Sequence, residues 1–271
     1  MDMIFRAYGR LFSRPVFYRL NRFLFNLSLR GLGILNWQTD HLQGEHANLK
    51  SILPSAAPGS VVLDVGANNG DYSAAVSAIA PELQIHAFEP HPATFARLSE
   101  RLVGTKVVCH NFGLGKSAGT VALYDHAGTE GTGHATTNSG VIERIHGKQA
   151  QSVDIEIRRL DDAIAALGLT DIHLLKIDVE GAELDVLRGL GDWTARGISI
   201  RHIQVEFNEM NVVSGVLVED FCNALPGYRI SRILPGGALL DITDERPVLR
   251  ELFAFQNLLF SRADMPASQQ I

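Results

Sequence analysis

Apolar and polar positions change rhythm repeatedly along this chain, and each change predicts an element. From Ser60 the run "SVVLDVG" is short, β-branched and closed by glycine, as a buried strand is, and "DYSAAVSAIA" follows with helical spacing. The pair recurs as "QIHAFEP" and "PATFARLSERLV", and "KVVCHNFGLG" reads as a third strand. Residues 119–160 break the alternation: "TVALYD" and "SVDIEIRRL" read as strands on either side of "HAGTEGTGHATTNSG". The rhythm resumes with "LDDAIAALG", "IHLLKIDVEG", "AELDVLRGLGDW", "ISIRHIQVEFN" and "VEDFCNALPG". "YRISRIL" and "NLLFSR" predict two last strands, an antiparallel hairpin at a sheet edge. Alternating strands and helices imply a parallel sheet with right-handed crossovers. The expectation is one α/β domain over residues 51–271, a doubly wound, mostly parallel, seven-stranded sheet.

Residues 1–50 follow another pattern. Phe17, Leu20, Leu24 and Leu27 recur at helical spacing with Arg19 and Arg22 off the stripe, which predicts a helical arm. Charge sharpens this picture. The net charge is -6, yet residues 1–35 hold six arginines against Asp2 alone, so the arm is basic and the remainder strongly acidic. The uncharged stretches of the arm are too short for a membrane span or a signal-peptide core. Two uses stay open: peripheral contact with an anionic membrane at the inner face, or packing on the main domain or on a second subunit. An acidic body gives no footing for nucleic acid. Cys109 and Cys222 form no C-x-x-C pair and suit a reducing, cytoplasmic setting.

The stretch with chemistry is "LDVGANNGDYS", Leu63 to Ser73, a strand, a glycine loop and a helix start. A dinucleotide fingerprint counted from Gly66 needs glycine at positions 68 and 71, where Asn68 and Asp71 stand. Asn tolerates the left-handed backbone, so Asn68 can do a glycine's conformational work while adding an amide. Asp64 ahead of the loop would repel a pyrophosphate but suits a ligand with a cationic amino group, as S-adenosylmethionine has. Glu89 ends the second strand, where an acid accepts hydrogen bonds from ribose hydroxyls in either cofactor. Asn111 and Phe112, ending the third strand, are placed for adenine. In "LLKIDVEGAE", Lys176 and Asp178 share a face at the carboxyl end of a central strand, where open α/β sheets bind ligands. The plainer role for this stretch is helix capping by Asp178 or Glu180, with Glu183 favouring the first turn. Glu206 and Asn208 end the neighbouring strand and face the same crevice.

Taken in order and spacing, "DVGANNGDYS", "AFEPHP", "VVCHNFGLG" and "LLKIDVEGAE" resemble the FkbM-type S-adenosylmethionine-dependent methyltransferases, from about Gly59 to Arg262. The resemblance implies a class I, Rossmann-like methyltransferase sheet and O-methylation of a hydroxyl, often on a sugar of a glycan or glycolipid or on a secondary metabolite. Carried over by position, Asp64, Gly66, Asn68, Glu89 and Asn111 would line the cofactor, with Asp178 between cofactor and acceptor. Ala67, Gly70, Tyr72, Ser73, Pro90 and Phe112, beside those positions, complete the expected cofactor set.

An alcohol is a poor nucleophile, so its proton needs an acceptor. Asp178 is the expected base or orienting group, with Lys176 paired to it and Glu206 beside it. A Mg²⁺ ion on Asp178 with Glu206 or Asn208 is an alternative, because hard oxygen ligands suit it. His91 and His202 lie near strand ends and are expected to serve packing or the surface. Residues 127–140, rich in Gly, Thr and Ser, read as a lid over the acceptor or as a surface insertion. Two rival functions are a catalytically degenerate scaffold of this fold and a nicotinamide oxidoreductase.

Overall fold

The computed structural model describes residues 2–39, 43–126 and 150–264 of the chain. The predicted lid lies outside these residues. Eleven strands are present among them: β1 Val61–Val65, β2 Gln84–Phe88, β3 Val108–His110, β4 Gly113–Gly115, β5 Gly119–His126, β6 Ala150–Arg159, β7 Asp171–Ile177, β8 Ser199–Phe207, β9 Tyr228–Ile233, β10 Leu239–Asp241 and β11 Gln256–Arg262. Eight form the main sheet in the order β10-β9-β11-β8-β7-β1-β2-β3. The run from β8 to β3 is parallel, while β11 is antiparallel to both neighbours and β10 to β9.

All seven strands expected of the main sheet are in it, with two corrections of detail. β9 and β11 do pair, but β11 lies inside the sheet between β8 and β9, and the edge hairpin is β9 with the three-residue β10. The reason is that Leu258, Leu259 and Phe260 are consecutive and all buried, so both faces of β11 need cover. The segment "KVVCHNFGLG" is two strands. β3 closes the main sheet, and β4 turns away to join β6 and β5 in a second, three-stranded sheet.

β1 shows how the two faces are filled. Leu63 and Val65 join one apolar cluster with Leu175, Ile177, Val205 and Phe207, while Val62 joins another on the opposite face. That second cluster takes in Leu49, Ile52 and Leu53, so the helix Glu45–Ile52 packs on the sheet like any crossover helix. The preceding helices, Asp2–Phe12 and Tyr18–Gly31, bury only Leu29. Asn21 joins them, its side-chain amide donating to the Phe12 carbonyl (3.0 Å) and accepting from the Tyr8 hydroxyl (2.6 Å). No helix among the described residues is long and apolar enough to cross a membrane.

Candidate active site at the carboxyl ends of the parallel strands

A cavity of about 590 Å³ opens where β1, β2, β7 and β8 end. Its floor is built by Val65, Gly66 and Asn68 after β1, Glu89 and Pro90 after β2, Asp178 and Glu180 after β7, and Glu206 and Asn208 at the end of β8. Leu123 of β5 with Ile155 and Ile157 of β6 supplies an apolar wall, and Leu35 and Trp37 close another side.

The loop after β1 adopts the expected backbone. Gly66 and Gly70 have φ of 82° and 83°, and Asn68 has φ of 49°, so asparagine does occupy the left-handed region here. Gly66 is required twice over, because a Cβ there would stand 1.8 Å from the Asp178 carbonyl oxygen. The loop's donors, however, do not face a ligand. The Gly66 and Ala67 N–H groups both donate to the Phe88 carbonyl (3.0 and 2.9 Å), Asn68 N–H to Glu89 Oε2 (3.1 Å) and Gly70 N–H to the Ala67 carbonyl (2.8 Å). A phosphate cradle needs such donors unspent.

What faces the cavity instead is a set of acceptors. Glu89 takes N–H bonds from Asn68 and from His91 (2.8 Å to Oε1), which leaves two of its roughly four lone pairs. Burial pushes its pKa up to about 7, with those two N–H groups pulling the other way. The side-chain oxygen of Asn68 is buried with no hydrogen-bond partner among the described residues. Such unmatched acceptors suit a ligand that brings its own donors, as ribose hydroxyls and an ammonium do. Glu206 is driven well above the ordinary carboxylate range by burial and by Asp178 and Glu180, against a hydrogen bond from Asn208.

Beneath the cavity lies a buried ionic cluster that places the remaining sequence candidates. Lys176 Nζ is 3.0 Å from Asp178 Oδ2, 3.8 Å from Asp64 Oδ1 and 4.9 Å from the Tyr72 ring centre. Burial alone would lower the Lys176 pKa, but Asp178, Asp64 and Glu45 together hold it well above the usual value. Lys176 is thus a fixed cation that grips Asp178, and Asp178 is the partner that reaches the cavity. Asp64 does not: it is fully buried, accepting from Ser73 Oγ (2.7 Å), because its side chain points to the face of β1 that carries the helix Asp71–Ile79. Burial raises its pKa, with Lys176 and Ser73 opposing.

Several other positions expected at the cofactor also lie behind the cavity lining. Ala67 packs with Leu98 and Leu102, Gly70 caps the helix, and Tyr72 donates to Gln204 Oε1 (2.9 Å) under the floor. Asn111 braces the turn after β2 by donating to the Glu89 and Pro90 carbonyls (2.9 and 3.1 Å). Phe112 is buried under the Arg158 guanidinium at 3.9 Å. These residues shape the site from behind.

Other details refine the picture. The helix Glu183–Arg188 has Ala182 at its N-cap, without a side-chain cap bond, and Glu183 braces the turn before it: its Oε1 accepts from the Val179 and Gly181 N–H groups (3.2 and 2.9 Å) while Glu180 sits at φ of 56°. Burial lifts the Glu183 pKa to about 7. His91 touches the cavity and caps the helix Pro92–Arg101, and His202 is buried against Ser261 Oγ (2.8 Å). Nothing in the structure supports the Mg²⁺ alternative. No group of three or more His, Cys, Asp or Glu among the described residues is placed to hold a metal. Asn208 donates its amide to Glu206 Oε1 (2.6 Å) and accepts from the Met210 N–H (2.8 Å).

Sequence reasoning missed three contributors: the apolar wall from β5 and β6, Leu35 and Trp37 from the arm, and the Glu45–Gln204–Tyr72 chain (Gln204 Nε2 to Glu45 Oε1, 2.5 Å). Their strand and helix patterns were readable, but not their place over or under the crevice.

The sequence matches the family model described as "Methyltransferase FkbM domain" over residues 64–225. The chain belongs to this methyltransferase family. Its main sheet, less the short β10, is the class I S-adenosylmethionine-dependent methyltransferase sheet, with one antiparallel strand inserted near the end. Among relatives of this FkbM-domain chain, "Methyltransferase 1" of Beauveria bassiana is 33% identical over 147 residues, 49% of this chain and 59% of that protein. The chain thus spans less than two thirds of that relative's length. "2-O-methyltransferase NoeI" of Sinorhizobium fredii is 27% identical over 207 residues, covering 73% of this chain and 83% of the relative. "Hexuronic acid methyltransferase AglP" of Haloferax volcanii is 30% identical over 157 residues, 57% and 59% of the two chains.

Proposed function

We propose that this chain transfers a methyl group from S-adenosylmethionine to a hydroxyl oxygen, on a sugar of a glycan or glycolipid or on a secondary metabolite. The observation that carries the reading is the cavity's bias toward acceptors: the carboxylate residues Glu89 and Asp178 line it, while the N–H groups of Gly66, Ala67, Asn68 and Gly70 are spent on the protein. That bias favours a cationic nucleoside with free hydroxyls over a pyrophosphate, and so disfavours a nicotinamide cofactor. Two relatives whose names specify O-methylation and a hexuronic acid support the acceptor class.

Glu89 would hold the cofactor's ribose hydroxyls. When bound, the cofactor supplies an electrophilic methyl on a sulfonium, a charge that Asp178 and Glu180 favour electrostatically. Asp178 takes the acceptor's proton, as the partner of Lys176 that lines the cavity. Lys176 holds that carboxylate in place through the 3.0 Å ion pair, so the proton acceptor needs little rearrangement during reaction. Glu206, at the end of β8 on the same cavity, can hydrogen-bond the acceptor and orient it. Leu123, Ile155 and Ile157 exclude water from the apolar side.

Asp178→Asn should lower turnover by about 10²–10⁴-fold while S-adenosylhomocysteine affinity stays within about threefold. Unchanged turnover would remove Asp178 from proton transfer. Calorimetry that detects NAD binding but no S-adenosylhomocysteine binding would overturn the cofactor assignment, and binding without turnover on any hydroxyl acceptor would favour a scaffold.

A further inference from the structure

We propose that residues 2–31 dock this methyltransferase on an anionic lipid surface. On the helix Asp2–Phe12, Asp2, Arg6 and Arg10 lie on one side, with Met3 beside Arg10, and Ile4, Phe5 and Leu11 on the other. Those apolar side chains remain in solvent, Phe5 with 67% of its surface exposed. The helix Tyr18–Gly31 repeats the arrangement, turning Leu29 to the body and leaving Leu20, Phe23 and Leu24 exposed. Elsewhere among the described residues, exposed large apolar side chains are few and scattered, so the arm concentrates the molecule's open apolar surface.

Charge selects the occupant. Arg10, Arg14, Arg19 and Arg22 are exposed and have no ion-pair partner among the described residues. A second copy's arm would set these arginines against their own kind. The acidic body of a second copy would match their charge, but its described surface offers no apolar patch to receive the stripes. An anionic bilayer satisfies both demands at once, taking the apolar faces at the headgroup boundary and the arginines on phosphate. The arm continues directly into Leu35 and Trp37, which line the cavity, so a docked arm sets the active site close to the membrane surface.

The test uses the full chain in co-sedimentation with phosphatidylcholine vesicles, with and without phosphatidylglycerol, at low and high salt. Partitioning should be at least about tenfold stronger on the anionic vesicles and should fall with salt. The quadruple Arg10→Gln, Arg14→Gln, Arg19→Gln, Arg22→Gln variant should lose the anionic preference, and Phe5→Glu with Leu24→Glu should lose binding. All variants should keep wild-type S-adenosylhomocysteine affinity, which shows that the body is folded. Equal partitioning onto neutral vesicles, or none onto either, would overturn the proposal. So would a dimer, seen by sedimentation velocity without vesicles, that the Phe5→Glu, Leu24→Glu variant dissolves; the occupant would then be a second copy. Vesicle binding requires no cofactor, so docking and methyl transfer fail independently.

Discussion

At the scale of single residues, Glu89 and Glu183 carry charge-dependent consequences with opposite uses. Glu89 accepts ligand donors best as a carboxylate, and its pKa lies at about 7 in the folded protein. Cofactor affinity should therefore be level above pH 7 and fall on acidification, by up to about tenfold per pH unit. Glu89→Gln should weaken binding by about 10- to 100-fold and flatten that profile; S-adenosylhomocysteine titration across pH 5–8 reads both. Glu183 touches no ligand, and its pKa is raised to about 7 from a usual 4.5. A raised acid contributes stability that is fully present below pH 4.5 and lost as the pH climbs through 7. The loss is on the order of 3 kcal/mol for a fully buried group. Glu183→Gln keeps an acceptor for the Val179 and Gly181 N–H groups, so its melting temperature should vary less over pH 4–8 than that of the wild type.

Residue-level signals were the most legible part of the sequence. The left-handed conformation at Asn68 followed from its residue type at a glycine-like position, and Glu89, Asp178 and Glu206 were found from strand ends. Asp64 was misplaced for an equally local reason. A strand alternates its side chains between two faces, and nothing in a single strand's pattern says whether its last polar residue clears the strand end or turns beneath it.

Between elements, the decisive feature is the buried cation joining β7 to β1. Lys176 pairs with Asp64 and Asp178 at once, so removing it strands the fully buried Asp64 carboxylate and takes the partner from Asp178 at the cavity. Lys176→Met should destabilise the protein by about 3–5 kcal/mol. Adding Asp64→Asn should recover part of that loss, because the fully buried carboxylate is the costlier of the two. Urea denaturation of Lys176→Met, Asp64→Asn and the double variant measures the coupling, and full additivity would show that the residues are independent. The second sheet is also an element-scale result. β5 and β6 were recognisable as strands, but their role as the apolar wall depends on β4 leaving the main sheet after β3, a break hidden inside one uninterrupted pattern.

For the whole molecule, the arm and the body behave differently because they bury different amounts of apolar surface. Residues 2–27 place no side chain in the core, whereas Leu49, Ile52 and Leu53 are buried against the sheet. Deleting residues 2–27 should therefore leave thermal stability within about 1 kcal/mol of wild type and cofactor affinity unchanged. Ile52→Ala, by contrast, should cost about 2–5 kcal/mol. Thermal melts and calorimetry on the two variants check this division.

Local rules were enough to determine the alternating α/β plan, the glycine–asparagine loop and the acids at the strand ends. Each depends on backbone preference, side-chain period or charge within a few residues. Tertiary structure alone decided which acids reach the cavity and which are locked under it, because that choice depends on how β1 and β7 pair and what packs behind them. It also decided that β11 lies inside the sheet, that β5 and β6 wall the site, and that the arm keeps its apolar faces in solvent. Burial, pairing and exposure are properties of distant segments brought together, and no stretch of sequence contains them.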